Sequence, residues 1–166
     1  CNLTREAIHA ERPDLVVLTG DVVVSSNALN AWKKLAGLFV EEKTPFAVTF
    51  GNHDEETDMN NTQILDYLRT VPYSLTYDAE NGKLSGSGNC NLSVMSSDGK
   101  TEKWMLYLFD SHNITEDRSF GYYAWIEHDQ IDWYRRTSDA TTIRNRRKIP
   151  SLAFFHIPLP EFESAT

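Results

Sequence analysis

Residues 45–56, PFAVTFGNHDEE, join an apolar run to a turn of unusual composition. PFAVTF is typical of a buried β-strand, and Gly51 and Asn52 are enough to make the turn that follows. The same turn nevertheless also contains His53 and Asp54. An imidazole and a carboxylate at one corner indicate that this turn takes part in chemistry.

The first half of the chain alternates between helical patterns and apolar runs. In order, the patterns predict a helix at 3–11, a strand at 14–23 (DLVVLTGDVV) buried on both faces, a helix at 27–42, a strand at 45–50 and a helix ending at Arg69. Ser25 or Ser26 is the expected N-cap of the second helix. This alternation is typical of an α/β protein with a parallel sheet.

The second half begins with residues 79–102, which are rich in Gly, Ser and Asn and predict hairpins and loops. The elements predicted in this half are the strand CNLSVM at 90–95, the strand KWMLYLFDS at 103–111, a helix at 127–138, a basic, solvated turn at 141–150, and a buried strand, SLAFF, that ends at His156. No domain boundary is visible, so residues 1–166 are expected to form a single domain.

Charge and composition exclude several classes of protein. Sixteen basic against 24 acidic residues give a formal net charge of -8, which argues against broad nucleic-acid binding because such binding needs a positive surface. No apolar run approaches the roughly 20 residues of a membrane helix, so no transmembrane segment is expected. Cys1 and Cys90 allow one bridge but no disulfide framework. If a signal peptide precedes Cys1, the protein would be exported, to a periplasm or to the extracellular space.

Polar residues follow three apolar runs at the point where each run ends. Asp21 follows LVVLTG, residues 52–54 follow FAVTFG, and His156 follows SLAFF. Open α/β sheets bind ligands beyond the carboxyl ends of their strands, so these side chains are expected to converge on one edge. A carboxylate, an amide oxygen and an imidazole suit Mn, Fe, Zn or Mg. Gly20 and Gly51 would let the backbone approach the metal ions closely.

Each of these residues also has a purely structural interpretation. Asp21 can cap the helix that follows, and Asn52 and Asp54 can be turn formers. His156 can be a buried histidine with a satisfied hydrogen bond. The metal hypothesis is favoured because it explains three strand ends at once.

The other polar candidates are interpreted as structural. His9 and His128 lie in helical contexts among charges, and His112 follows a strand but lacks a matching neighbour. A solvated acidic cluster at the start of a helix is expected at Glu55, Glu56 and Asp58.

GDVV at 20–23, GNHDE at 51–55 and the later strand ending in FFHIPLPEF resemble the calcineurin-like metallophosphoesterases, above all the small, atypical branch of the purple acid phosphatases. The similarity runs over most of the chain, through ERPDLVVLTGD, PFAVTFGNHDEE, GSGNCNL, LYLFDS, HDQIDWY and LAFFHIPLPEF. GNHD after a strand, with GD upstream at the expected distance, is the specific part of this resemblance.

The resemblance implies a fold and a set of residue roles. The fold would be a β-sandwich of two sheets flanked by helices, with a centre of two metal ions at one edge. Asp21 would bridge both ions, and Asn52 and His156 would ligate the second ion. His53 would face the substrate and help to protonate the leaving group. Asp54 would hydrogen-bond His53 and hold its tautomer.

The implied activity is metal-dependent hydrolysis of phosphoric esters, in which a hydroxide held by two ions about 3.5–4 Å apart attacks phosphorus in line. The first expectation is a phosphomonoesterase that acts on phosphorylated small molecules or on phosphoproteins. The alternatives are a phosphodiesterase or nuclease of the same superfamily and a non-catalytic phosphate-binding module. The identity of the two ions stays open among Mn, Fe, Zn and Mg.

Two features depart from the family pattern. The Asp-x-His that precedes the GD strand and the Gly-His-x-His near the end are not in this sequence. The domain is therefore expected to be incomplete at both ends, and the segment alone to bind metal weakly or to be inactive. Val24 stands where the purple members have a tyrosine that ligates ferric iron, so no purple colour is expected.

Overall fold

A computed structural model describes residues 2–115, 118–159 and 161–162. Within these residues the chain forms four α-helices and five β-strands. In chain order they are α1 (Asn2–Glu11), β1 (Val16–Thr19), α2 (Ala28–Glu41), β2 (Phe46–Thr49), α3 (Asn61–Leu68), β3 (Cys90–Met95), β4 (Glu102–Leu108), α4 (His128–Asn145) and β5 (Ser151–Phe154). None of these helices combines the length and the apolar character that crossing a membrane requires.

The first sheet consists of β1 and β2, which run parallel with Val16 opposite Phe46. Alternate residues of a strand face opposite sides, so Phe46 and Val48 point to the same side of this sheet. The ring of Phe46 stacks on Phe39 of α2 with 4.6 Å between the ring centroids. Buried residues of α2 and α3 complete this part of the core, among them Trp32, Ala36, Ile64, Leu65 and Leu68. The two helices therefore cover one face of the first sheet.

The second sheet contains β3, β4 and β5, with β3 antiparallel and β5 parallel to β4. Met105, Tyr107 and Phe109 alternate along β4 and just beyond it, and they pack against Trp133 and Tyr134 of α4. The ring of Tyr107 meets both α4 rings edge to face, with centroid distances of 5.8 and 4.8 Å. α4 therefore covers the outer face of the second sheet.

The remaining faces of the two sheets pack against each other. Ala47 of β2 and Val17 of β1 form a small apolar layer with Cys90, Leu108 and Phe154 of the second sheet. The layers thus run helix, sheet, sheet, helix. The predicted α/β fold of two sheets flanked by helices is confirmed.

Parallel pairing brings the carboxyl ends of four strands to a common edge. β1 and β2 end side by side at Thr19 and Thr49, and β4 and β5 end side by side at Leu108 and Phe154. The Thr49 hydroxyl donates a hydrogen bond of 2.5 Å to the carbonyl of Phe109 and so connects the two pairs. The turns that follow these strands carry every candidate site residue.

The predicted basic turn at 141–150 is wrong in its first half, because α4 continues to Asn145. Arg144 in the last turn of α4 lies 2.7 Å from Glu102 at the start of β4. The Arg144 guanidinium, and after it the Asn145 amide, lower the pKa of Glu102 to about 2. This pairing between distant segments stabilises a helical turn that the local sequence does not favour.

β1 and β5 are less buried than predicted. The first three residues of β1 are half-buried, and Ser151, Leu152 and Ala153 of β5 are exposed. Each strand lies at an edge of its sheet in the described part of the chain, so one side of it has no neighbouring strand. Apolar runs alone do not distinguish a central strand from such an edge strand.

Of the two cysteines, the structure describes Cys90 but not Cys1. Cys90 is fully buried as a free thiol, and burial raises its pKa to about 12, so it behaves as a small apolar residue. Cys1 lies outside the described residues, and a bridge between the two stays untested.

Candidate metal centre

The Asp54 carboxylate joins the two turns that follow β1 and β2. It is fully buried and accepts four backbone N–H groups. One oxygen accepts from Asp21 at 2.9 Å and from Gly51 at 2.8 Å, and the other accepts from Val22 and Val23 at 2.9 and 3.2 Å. A charged acceptor that satisfies several donors is a strong interaction in a buried place. Asp54 therefore sets the distance between the two turns.

Glycine is required where these turns touch. A Cβ on Gly20 would lie 2.5 Å from Nδ1 of His156, and a Cβ on Gly51 would overlap the Asp21 carboxylate. Gly20 also has a φ of 93°, which glycine adopts without strain. The expected close approach at both glycines is therefore present, although what approaches is the side chains of His156 and Asp21.

Asp21 lies at the centre of the site in a left-handed backbone conformation, with a φ of 52°. One of its carboxylate oxygens accepts the backbone N–H of His53 at 2.9 Å. The other oxygen lies 3.1 Å from Nε2 of His156. The carboxylate thus contacts both of the other turns and stays partly open to solvent.

The ring of His156 is oriented by the backbone of β1. Its Nδ1 lies 2.8 Å from the carbonyl oxygen of Thr19, which can only accept, so Nδ1 carries the hydrogen. Nε2 then faces the Asp21 carboxylate with either a second proton or a lone pair. A lone pair next to a carboxylate is favourable when a cation lies between them, and a backbone carbonyl commonly orients a metal-binding histidine in this way.

Asn52 supplies the third candidate ligand. It lies between Gly51 and His53, which both contact Asp21, and its side chain is buried. An amide oxygen, a carboxylate and an imidazole together fit a hard or borderline cation such as Mn, Fe, Zn or Mg. No group of three or more His, Cys, Asp or Glu side chains with metal-binding geometry occurs among the described residues. Of the three candidate ligands, Asp21 and His156 belong to these residue types, and Asn52 does not.

The partner of His53 differs from the prediction. The oxygens of Asp54 are occupied by backbone donors, and Nδ1 of His53 instead lies 2.8 Å from the Glu56 carboxylate. The predicted hydrogen bond between Asp54 and His53 is therefore wrong. The hydrogen bond to Glu56 raises the pKa of His53. Glu56 thus takes the orienting position that was assigned to Asp54.

The acidic residues behind the turn are not merely a solvated cluster. Besides the pairing of Glu56, Asp58 accepts the backbone N–H of Ala28 at 2.8 Å and so caps α2 from a distant loop. The predicted cap at Ser25 or Ser26 is wrong, because Asn27 occupies the N-cap position and makes no capping hydrogen bond with its side chain. The loop after β2 is therefore tied to α2.

Sequence reasoning missed the buried polar residues just beyond β4. Asp110 and Ser111 are both buried, and the Ser111 hydroxyl accepts the N–H of Ile157, the neighbour of His156, at 2.9 Å. The Asp110 carboxylate accepts the N–H of Ser87 at 2.8 Å. Polar residues directly after the apolar run of β4 were the available signal, of the same kind as at the other three strand ends.

The chain is similar in sequence to a known protein family and to several known proteins. A family model described as calcineurin-like phosphoesterase matches residues 2–166. The chain is 31% identical to a protein of Arabidopsis thaliana named probable inactive purple acid phosphatase 14, and 32% identical to probable inactive purple acid phosphatase 29 of the same plant. It is 30% identical to the phosphatase DCR2 of Saccharomyces cerevisiae. Each match covers 95% of this chain but only 44%, 45% and 28% of the respective relative. The chain therefore spans less than half the length of these relatives.

Proposed function

Because the chain belongs to the calcineurin-like phosphoesterase family, we propose that the whole protein is a metal-dependent phosphomonoesterase with its centre at Asp21, Asn52 and His156. The observation that carries the proposal is the contact of 3.1 Å between Asp21 and His156. There a carboxylate oxygen and an imidazole nitrogen from distant segments are held close together, the imidazole by its hydrogen bond to the Thr19 carbonyl. When Nε2 carries a lone pair, a cation between the two atoms would be bound by both of them.

The metal ligands have distinct roles in this proposal. Asp21 would contribute its two carboxylate oxygens to the ions, and His156 and Asn52 would each contribute one atom. When bound, the ions supply Lewis acidity to the phosphoryl group and generate the nucleophile from water. Thr19 holds the His156 ring in the tautomer that leaves Nε2 for the metal.

His53 is the proposed acid. Its Nδ1 is bonded to Glu56, which leaves Nε2 for a phosphoryl oxygen or for the oxygen of the leaving group. The raised pKa of His53 favours the protonated form that a general acid needs. Asp54 acts on this chemistry through the backbone, because it holds the turn from which His53 projects.

The substrates would be phosphorylated small molecules or phosphoproteins. A simple aryl phosphate monoester and its matching diester test the ester class on the whole protein loaded with Mn. Asp21→Asn should lose both bound Mn and turnover, because Asp21 contributes to both ions. Asp66→Asn is the matched control, since Asp66 lies on the solvent side of α3 with a side chain 70% exposed. Retained turnover in Asp21→Asn would refute the assignment, and preference for the diester would move the protein to the phosphodiesterases.

Val24 bears on the colour of the iron-loaded protein. The residue is 59% exposed, and its side chain has no atom that can ligate iron. The iron form should therefore lack a tyrosinate-to-iron absorption band in the visible range. A band of that kind in the whole protein would show that another residue replaces the tyrosine of the purple members.

A second candidate function is a non-catalytic phosphate-binding module. It is favoured by the names of two relatives, which describe them as probable inactive purple acid phosphatases. The same experiment separates the two functions. Binding of inorganic phosphate without turnover, with Mn, Fe, Zn and Mg in turn, would favour the module over the hydrolase.

A further inference from the structure

His112 lies just beyond β4 in a backbone conformation that histidine seldom adopts. Its φ is 63°, in the left-handed region, where a residue with a side chain carries strain. A hydrogen bond of 2.8 Å from its backbone N–H to the Asp110 carboxylate holds this conformation. The expectation that His112 lacks a matching neighbour is wrong, because its ring contacts Gln130 of α4.

The buried amide of Gln130 determines which nitrogen of His112 carries a hydrogen. Nε2 of Gln130 donates to the Asn89 side chain at 2.6 Å and to the carbonyl of Asp110 at 2.7 Å. Its oxygen is therefore the atom 3.2 Å from Nε2 of His112. Because an amide oxygen only accepts, Nε2 of His112 carries the hydrogen. Nδ1 has no hydrogen bond within the described residues and is left for a ligand.

The segment that carries His112 is bonded to both sides of the candidate metal centre. The hydroxyl of Thr49, at the end of β2, donates to the backbone just before this segment. On the other side, the Ser111 hydroxyl accepts the N–H of Ile157, which follows His156. The segment that carries His112 is therefore joined to both of the turns that bring the ligands together.

A phosphoryl group needs donors or cations, and these segments are poor in both. Residues 20–23, 51–59, 109–113 and 155–157 contain no Lys and no Arg. The histidines are the side chains of these segments that can become cationic. His156 is assigned to the metal and His53 to the leaving group, which leaves His112 without a role.

We propose that His112 is a further phosphoryl-binding residue of this site and that Gln130 is its positioning residue. The proposal rests on the proposed function of the site and names how the site holds its substrate. With Nε2–H bonded to Gln130, Nδ1 is the ring nitrogen left for the substrate, and it donates to a phosphoryl oxygen when it also carries a hydrogen. Because the contact is made to the phosphoryl group itself, inorganic phosphate should use it as well as any phosphomonoester.

The test measures binding of inorganic phosphate to the whole Mn-loaded protein by calorimetry, with metal content determined in the same samples. His112→Gly removes the ring, and glycine adopts the observed φ without strain, so the turn is kept. His112→Asn keeps an N–H donor near the position of Nδ1 and tolerates the left-handed conformation. His128→Ala is the matched control, because His128 is an exposed histidine at the start of α4.

His112→Gly should weaken phosphate binding about tenfold or more, the effect of losing one hydrogen bond to a charged group, with metal content unchanged. His112→Asn should recover part of the loss, and His128→Ala should bind phosphate as the wild type does. Equal affinity in His112→Gly and the wild type would overturn the role of His112 and leave the proposed hydrolase intact. Loss of metal in His112→Gly would overturn it too, since the ring would then act on the metal centre.

Gln130→Met tests the positioning role in a double-mutant cycle. Alone it should weaken phosphate binding, and in the His112→Gly background it should have no further effect. Additive losses would overturn the positioning role of Gln130. If the wild type neither binds phosphate nor hydrolyses esters with any of the four metals, the proposed function itself fails, and the role of His112 falls with it.

Discussion

Asp54 accepts the backbone N–H of Asp21 at 2.9 Å, and this contact connects two turns that are separated by more than 30 residues in sequence. The same carboxylate binds the turn after β2 through Gly51. Asp54, which is not itself a candidate ligand, therefore sets the distance between the candidate metal ligands.

Asp54→Asn should strongly destabilise the protein. The asparagine amide has one acceptor oxygen and turns its NH2 group toward backbone donors, so two of the four N–H groups lose their acceptor. We expect the free energy of unfolding to fall by about 2–5 kcal/mol, as for the loss of buried hydrogen bonds to a charged group. Urea denaturation measures it, with Asp66→Asn as the control, which should stay within about 0.5 kcal/mol of the wild type. A small effect in Asp54→Asn would show that water replaces the lost acceptor.

Glu56→Gln should lower the pKa of His53. The hydrogen bond that the His53 ring donates to Glu56 is the largest cause that raises this pKa, and the glutamine amide would replace a negative acceptor by a neutral one. A group with a raised pKa keeps its proton up to a higher pH, so the loss of activity at high pH, where His53 gives up its proton, should begin at a lower pH in the variant. NMR titration of the His53 ring gives the pKa directly.

Glu55→Gln serves as the control for this variant, because it removes a neighbouring charge without touching His53. It should shift the His53 titration much less than Glu56→Gln does. An unchanged pKa in Glu56→Gln would mean that the ion pair does not persist in solution, as is common for exposed pairs.

Gly51→Ala should disrupt the metal centre. The added methyl group would overlap the Asp21 carboxylate, so either the turn or the carboxylate must move. We expect about 1–3 kcal/mol of destabilisation from overpacking together with loss of bound Mn, measured by denaturation and by metal analysis.

Gly37→Ala is the control for Gly51→Ala, because it adds the same methyl group at a glycine with free space around it. Gly37 lies in α2, and an added Cβ there meets no atom within 4 Å, so alanine should stabilise the helix by about 0.5–1 kcal/mol. Full Mn binding in Gly51→Ala would contradict the close packing of the two turns.

Glu102→Gln should remove a contribution to stability that depends on pH. The pKa of Glu102 is lowered to about 2, chiefly by the Arg144 guanidinium. A depressed pKa stabilises the folded state above the unfolded value, and the stabilisation is lost as the pH falls toward 2. The variant should be about 1–2 kcal/mol less stable at pH 7, and the difference should vanish near pH 2.

Unfolding at a series of pH values measures this difference. Glu80→Gln, which breaks the exposed ion pair of Glu80 with Arg136, is the control and should show little change at any pH. A constant difference between Glu102→Gln and the wild type across this range would assign the effect to packing instead of charge.

Several features of the site were predictable from sequence because they are local. The apolar runs that form β1, β2 and β5 end at polar residues, and parallel pairing brings such ends to one edge. The expected convergence of Asp21 and His156 is confirmed by their contact, and the turn that carries Asn52 contacts Asp21 as well. Their roles as metal ligands stay predictions.

The partners of individual side chains were not predictable. His53 has both Asp54 and Glu56 as near neighbours in sequence, and hydrogen-bonding capacity alone does not distinguish them. Asp54 is unavailable because the turn after β1 surrounds it with donors. That arrangement exists only after the two strands have paired.

The order of helices and strands, the positions of the glycines at the two turns and the chemical types of the candidate ligands can all be read from the sequence, because they follow from local periodicity and residue chemistry. The tertiary structure decided that Asp54 clamps the backbone, that Glu56 orients His53, and that Gln130 sets the tautomer of His112. The physical reason is that a hydrogen bond depends on distances of about 3 Å and on direction. Packing of the sheets and helices creates those distances between segments that are far apart in the chain.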